Sequence, residues 1–142
     1  MNGRRTRHLK QQRLLDSYAL LAYLNKEKNF QKVQKCLSDA QASGRPLLMN
    51  EINIGETYYI LCRKRSQDKA VFFLDTVLPG LPILPLTNAF EDVMAAARIK
   101  SEVPISFADC FAVATARREN VIVLTGDPEF KKVEHLVKID WL

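Results

Sequence analysis

Four acidic side chains in this chain sit where a carboxylate has chemistry open to it: Asp16, Glu56, Asp109 and Asp127. Singly, three of them have a structural explanation. Asp16 follows the short apolar run Arg13-Leu14-Leu15 and precedes a helical pattern, the place of an N-cap. Ser106-Phe107-Ala108-Asp109 matches the Ser-x-x-Asp capping pattern, and Asp127-Pro128 reads as a cap followed by proline at the first helical position. Glu56 resists such an account. It falls in the second turn of an expected helix and shares a face with Ile52, Tyr59 and Ile60, where an unpaired carboxylate is costly. Gly55 beside it leaves room for a close approach, whereas the competing acid, Glu51, stands at the first helical position, where the helix dipole favours an anion. If the four converge, two carboxylates about 5 Å apart repel by roughly 3 kcal/mol at an effective dielectric near 20. Protonation relieves that repulsion, and so does a divalent cation. Oxygen donors suit Mg²⁺ or Mn²⁺ rather than zinc, since Cys36, Cys62 and Cys110 lack metal-type spacing and His8 and His135 are isolated.

The elements that must position these acids alternate between strands and helices. Arg13-Leu14-Leu15 is a short strand, and Ser17 to Asn25 a strongly apolar helix. Asn29 to Ala42 is an amphipathic helix with Phe30, Val33, Cys36, Leu37 and Ala40 on one stripe, stopped by Ser43-Gly44-Arg45-Pro46. Leu47-Leu48-Met49 is a second strand, followed by helices over Glu51–Arg65 and Gln67–Leu78, the latter ended by Pro79-Gly80. Pro82 to Leu86 is a proline-marked strand near an edge, and Ala89–Ser101 another helix. The segment Pro104 to Phe130 then gives an almost wholly apolar helix, a strand Val121-Ile122-Val123-Leu124 and the turn Thr125-Gly126-Asp127-Pro128, and Leu136 to Ile139 closes the chain as a last strand. Continuous apolar strands separated by helices predict a parallel sheet covered on both faces, a three-layer α/β domain. Ligands bind such sheets at the C-terminal ends of the strands, where Asp16 and Asp127 fall.

At 142 residues, with 47% hydrophobic and 26% charged residues, the chain suits one globular domain over residues 11–142 behind a flexible basic extension, residues 1–10. No apolar run approaches the roughly 18 residues that span a bilayer, and the basic N-terminus has no apolar stretch behind it. The cysteines read as reduced thiols of a cytoplasmic protein. A net charge of +5 fits a polyanionic partner, with clusters at Arg4 to Arg13, Arg63 to Arg65, Arg117-Arg118 and Lys131-Lys132. The later clusters also sit near helix C-termini, where the dipole favours cations.

Four segments carry a resemblance: LLDSYALLAYL (14–24), NEINIGETYYIL (50–61), PISFADCFAVATA (104–116) and VIVLTGDPEF (121–130). In this order they resemble the PIN domain, and within it the VapC-like toxins of prokaryotic toxin–antitoxin pairs. The resemblance implies a parallel sheet in the order 3-2-1-4-5 and maps the family's acidic quartet onto Asp16, Glu56, Asp109 and Asp127. Its Asn-Ile-Gly-Glu-Thr-Tyr-Tyr context selects Glu56 over Glu51. It further implies Mg²⁺- or Mn²⁺-dependent ribonuclease activity, an RNA substrate, a homodimer and a cognate antitoxin. Asp16, Asp109 and Asp127 would hold the ion or ions, with Glu56 as a further ligand or acting through water, and Ser17 and Thr125 would orient a carboxylate or a water. The family begins a few residues before its first Asp, so residues 1–10 are extra.

Three alternatives accompany this reading. A PIN nuclease of RNA processing outside any toxin pair shares every motif, and a PIN fold kept purely for binding would not need all four acids. A phosphoacceptor receiver domain needs adjacent acids after its first strand, where Leu15-Asp16-Ser17 has one. The surplus of apolar residues around the helices at 29–42 and 51–65, the second carrying Ile52, Ile54, Tyr58, Tyr59, Ile60 and Leu61 all around it, predicts a surface for the antitoxin. The helix from Gln67 to Leu78 is the expected dimer face.

Overall fold

The computed structural model describes residues 11–142; the extension expected at residues 1–10, with His8, lies outside the described residues. Five parallel strands, β1 (Arg13–Leu15), β2 (Leu47–Asn50), β3 (Ile83–Leu86), β4 (Ile122–Thr125) and β5 (Ile139–Trp141), form one sheet in the order β3-β2-β1-β4-β5. This is the α/β sheet order that the sequence motifs imply. The helices are α1 (Ser17–Leu24), α2 (Phe30–Ser43), α3 (Glu51–Lys64), α4 (Gln67–Phe72), α5 (Phe90–Glu102) and α6 (Phe107–Glu119). A π-helical stretch, Phe73–Val77, and a last turn, Leu78–Gly80, prolong α4, and a 3₁₀ helix, Pro128–Val133, follows β4.

Alternation along the strands builds two cores. Leu14, Leu48 and Val123 point to one face, where α5 and α6 supply Ala96, Phe111, Ala112 and Val113. Leu15, Leu47, Met49 and Leu124 point to the other, against Leu20 of α1, Val33 and Leu37 of α2, Ile54 and Leu61 of α3 and Phe73. The helix α6 is buried along most of its length because its neighbours approach small side chains (Ala112, Ala114, Ala116) rather than a polar face. Its ends are set by Ser106, whose hydroxyl accepts from the Asp109 backbone N–H at 3.1 Å, and by Asn120 in the left-handed conformation.

Three local expectations need correction. The last strand is Ile139–Trp141, not Leu136–Ile139: the Leu136 and Val137 N–H groups bond back to the Val133 carbonyl in a turn that sinks Val137 into the core. The buried face of α3 is Asn53, Ile54, Thr57 and Leu61, while Ile52 and Tyr59 are exposed, so the face that Glu56 shares with them is not a buried one. Gly55 beside Glu56 does leave room: among the described residues a β-carbon there would touch nothing. Leu61 is core and Tyr58 packs against it, which removes both from the apolar surplus. Proline is tolerated in β3 because that strand is the sheet edge, with Pro85 opposite Met49. Of the thiols, Cys110 is buried and Cys36 and Cys62 are half-buried, all unbridged.

Candidate active site

Between β1 and β4 the chain reverses its direction of winding, and the crevice above such a switch point is the natural ligand site of an open α/β sheet. Strand register places Leu15 beside Leu124, so the next residues, Asp16 and Thr125, meet across the crevice. The Asp16 carboxylate is 1% exposed. Its Oδ1 accepts from the Ala19 N–H at 2.8 Å, the capping bond, and its Oδ2 accepts from the Thr125 hydroxyl. The Thr125 Oγ1 in turn accepts from the Asp127 N–H at 3.0 Å. One hydroxyl thereby fixes two acids. Asp127 also caps the 3₁₀ helix, accepting from the Glu129 N–H at 3.0 Å. Ser17, next in the chain, donates its hydroxyl to Glu56 Oε1 and so ties α1 to α3.

Asp109 is buried in the first turn of α6. The Ser106 hydroxyl caps the helix, but no backbone N–H among the described residues bonds to the Asp109 carboxylate, so the capping reading accounts for Ser106 and leaves the acid unexplained. Glu51 is elsewhere, exposed and accepting from Asn88. Glu56, Asp109 and Asp127 face one cavity of about 590 Å³, lined also by Ser17, Tyr18, Glu27, Lys28, Lys64, Ser106 and Glu129, with Leu21, Ile60 and Ile105 as an apolar wall. Asp16 lies beneath it, within electrostatic reach of Asp109 and Asp127.

The electrostatic state of the pair Asp16 and Asp109 follows from this packing. Burial pushes the Asp16 carboxyl up to about 8, against the hydrogen bonds from Thr125 and Ala19 and with repulsion from Asp109 and Asp127 adding to it. Burial likewise raises Asp109 to about 6, the Ser106 hydroxyl opposing and Asp127, Glu56 and Glu129 reinforcing. Among the described residues, no three of these groups close on one point tightly enough to enclose an ion by protein atoms alone. The donor chemistry still fits Mg²⁺ or Mn²⁺: the cluster offers only oxygen, it repels itself, and Mg²⁺ is commonly held by one or two carboxylates with water completing its shell. A dedicated zinc or calcium cage would not fit.

Four chemically able residues on this cavity went unmarked in the sequence: Tyr18, Glu27, Lys28 and Glu129. Glu27 and Lys28, in the turn after α1, reach the site only through the tertiary fold, whereas Tyr18 follows Ser17 directly. Glu129, two residues past Asp127, carried a weak signal as a further acid in the same turn, although it also pairs with Lys132 at 2.7 Å. Several conspicuous cations are used elsewhere: Arg118 pairs with Asp92, and Arg63 stands over the Tyr59 ring at 5.5 Å.

The PIN domain family model matches residues 13–136, which takes in every acid of the pocket. The chain belongs to the PIN domain family. No curated protein matches it in sequence. Among solved structures, this PIN domain is similar to a DNA-bound VapBC from Salmonella typhimurium, at 13% identity and a TM-score of 0.69 over 92% of this chain and 98% of that one. It is also similar to VapC20 of Mycobacterium tuberculosis, a Sarcin-Ricin loop cleaving toxin, at 18% identity and 0.67 over 84% and 92%. A toxin–antitoxin complex from Klebsiella pneumoniae gives 12% and 0.60 over 89% and 94%. At these identities the likeness is one of fold. Among the described residues no helix is long and apolar enough to cross a membrane.

Proposed function

We propose that this PIN domain is a Mg²⁺- or Mn²⁺-dependent endoribonuclease and the toxin of a toxin–antitoxin pair, cleaving RNA to inhibit translation. The observation that carries the reading is the gathering of Asp16, Glu56, Asp109 and Asp127, from four separate segments, around one cavity that also holds two lysines. The reaction is hydrolysis of a phosphodiester by water, leaving a 3′-hydroxyl and a 5′-phosphate. Asp16, Asp109 and Asp127 would hold the ion or ions, with Glu56 as a further ligand or acting through water. A bound divalent ion supplies the charge that lowers the pKa of an attacking water and stabilises negative charge developing on the phosphoryl oxygens.

The chain's own residues do the positioning. The Thr125 hydroxyl holds Asp16 and Asp127 in fixed relation, and the Ser17 hydroxyl aims Glu56. Lys28 and Lys64 line the cavity without an ion pair among the described residues, and they draw the RNA phosphates toward an otherwise repulsive acidic pocket.

The toxin reading takes support from neighbours whose structures are toxin–antitoxin complexes. A cognate antitoxin segment would cover the half-exposed side chains beside the pocket, among them Ile52 and Tyr59, with a cation reaching the carboxylates. A homodimer would use α4 and its π-helical continuation, where Val71, Phe72 and Leu74 are exposed. The experiment is cleavage of RNA by the purified protein with Mg²⁺ or Mn²⁺, which EDTA stops. Cleavage that continues in EDTA contradicts the mechanism.

A further inference from the structure

We infer that Tyr18 is the stacking platform for an unpaired nucleobase next to the scissile phosphate, and so the residue that makes this site select single-stranded RNA. The inference rests on the nuclease reading above and concerns how that site holds its substrate. Tyr18 sits in the first turn of α1, two residues after Asp16 and directly after Ser17, and it lines the same cavity as Glu56, Asp109 and Asp127. A large aromatic side chain in that position would ordinarily complete the core, yet Tyr18 is 44% exposed. Among the described residues no other ring packs on it, and its hydroxyl makes no hydrogen bond.

What fixes the ring is the turn that carries Asp127. A β-carbon on Gly126 would stand 2.5 Å from Tyr18 Cε1 and 3.2 Å from Cδ1. Gly126 does not have a positive φ, so its backbone does not require glycine. The missing side chain makes room for the edge of the Tyr18 ring, which lies against the turn that carries Asp127. An aromatic ring held by one edge, half-open to solvent and one turn from the reacting groups, is the arrangement on which a base stacks. Stacking of this kind tolerates every base because each has a π-face, and it is closed to bases already stacked in a duplex. Lys28 and Lys64 on the same cavity supply the phosphate contacts that such a strand needs beside the base.

The test uses the full chain in two forms: wild type for Mn²⁺-dependent cleavage, and an Asp109→Asn background for binding without turnover. The probe is a fluorescein-labelled single-stranded RNA of mixed sequence, alone and annealed to its complement. Tyr18→Leu, which keeps apolar bulk against Gly126 but not the π-face, is expected to weaken binding and raise KM about tenfold or more with little change in kcat. Tyr18→Phe and Tyr18→Trp are expected to retain both, and the duplex to bind less well than the single strand. Independently of any substitution at Tyr18, RNA containing 2-aminopurine is expected to lose fluorescence on binding. Unchanged KM and affinity in Tyr18→Leu, equal loss in Tyr18→Phe and Tyr18→Leu, or unquenched 2-aminopurine, each with wild-type cleavage intact, overturns the stacking role and leaves the nuclease reading standing. Wild-type protein that neither binds nor cleaves RNA overturns the nuclease reading, and the platform with it.

Discussion

One carboxylate, that of Asp16, caps α1, accepts from Thr125 and lies under the acidic cavity, and the conflict between these roles has a pH signature. Its folded-state pKa of about 8, and that of about 6 for Asp109, lie above the ordinary 3.8. The folded protein therefore holds protons that the unfolded chain releases. Their contribution to stability is full below about pH 4 and is lost as pH rises through about 6 and then about 8, at about 1.4 kcal/mol per pH unit for each group in its window. In EDTA, melting should thus be lower at pH 8 than at pH 5. Asp16→Asn, which can still accept the Ala19 N–H, should raise Tm at both pH values but severalfold more at pH 8 than at pH 5. An equal effect at both pH values would contradict the buried charge. Thr125→Val would strip Asp16 of a donor and the Asp127 N–H of its acceptor, costing about 1–3 kcal/mol in denaturant melts. At this scale Asp16, Asp109 and Asp127 each followed a capping rule and stood out only by their joint placement at strand ends and helix starts, while Glu56 alone broke a local rule. For Glu56 the residue was legible but the reason was not: Ile52 and Tyr59 on its face are exposed rather than core, and what holds it is Ser17, a partner 39 residues distant that no local pattern reveals.

At the scale of elements, α3 does most to assemble the cavity, because it touches both α1 and α6. Asn53, wholly buried in α3, donates from Nδ2 to the Ala108 carbonyl at 3.1 Å and so pins the turn of α6 that carries Asp109. Among the described residues its Oδ1 has no hydrogen-bond partner. Asn53→Ala should cost about 1–3 kcal/mol by denaturant unfolding and slow RNA cleavage more than it weakens RNA binding, since it loosens one acid and no substrate contact. Cleavage unchanged despite that destabilisation would contradict the tether. The strands and helices were legible from apolar runs and punctuation by Gly and Pro, down to the edge placement of the strand holding Pro85. The last strand was not, because Leu136-Val137 is as apolar as a strand and only the 3₁₀ helix before it decides that those residues turn. The π-helical stretch after α4 likewise carries no pattern distinct from α-helix.

The whole molecule divides its duties between the two ends of one sheet face pair: both cores lie beside the strands, and the acids gather at the C-terminal edge, where β1 and β4 part. The order of the motifs made that topology legible and the exposed surface only in part: Ile52 and Tyr59 of the expected surplus are exposed, as is Phe72 of the expected dimer face, whereas Ile54 and Leu61 are core and Phe90 was not marked. Phe72 is 58% exposed, and Phe72→Glu should convert a dimer in light scattering to a monomer with cleavage retained; a wild-type monomer at micromolar concentration would contradict the proposed dimer face. Calorimetric titration of Mn²⁺ into the purified protein decides whether the four acids from four segments make one divalent-cation site. Mn²⁺ is expected to bind, with Asp16→Asn, Asp109→Asn and Asp127→Asn each weakening it at least tenfold, and Glu56→Gln less, while circular dichroism shows every variant folded. Mn²⁺ affinity unchanged across the three aspartate variants would contradict that shared site.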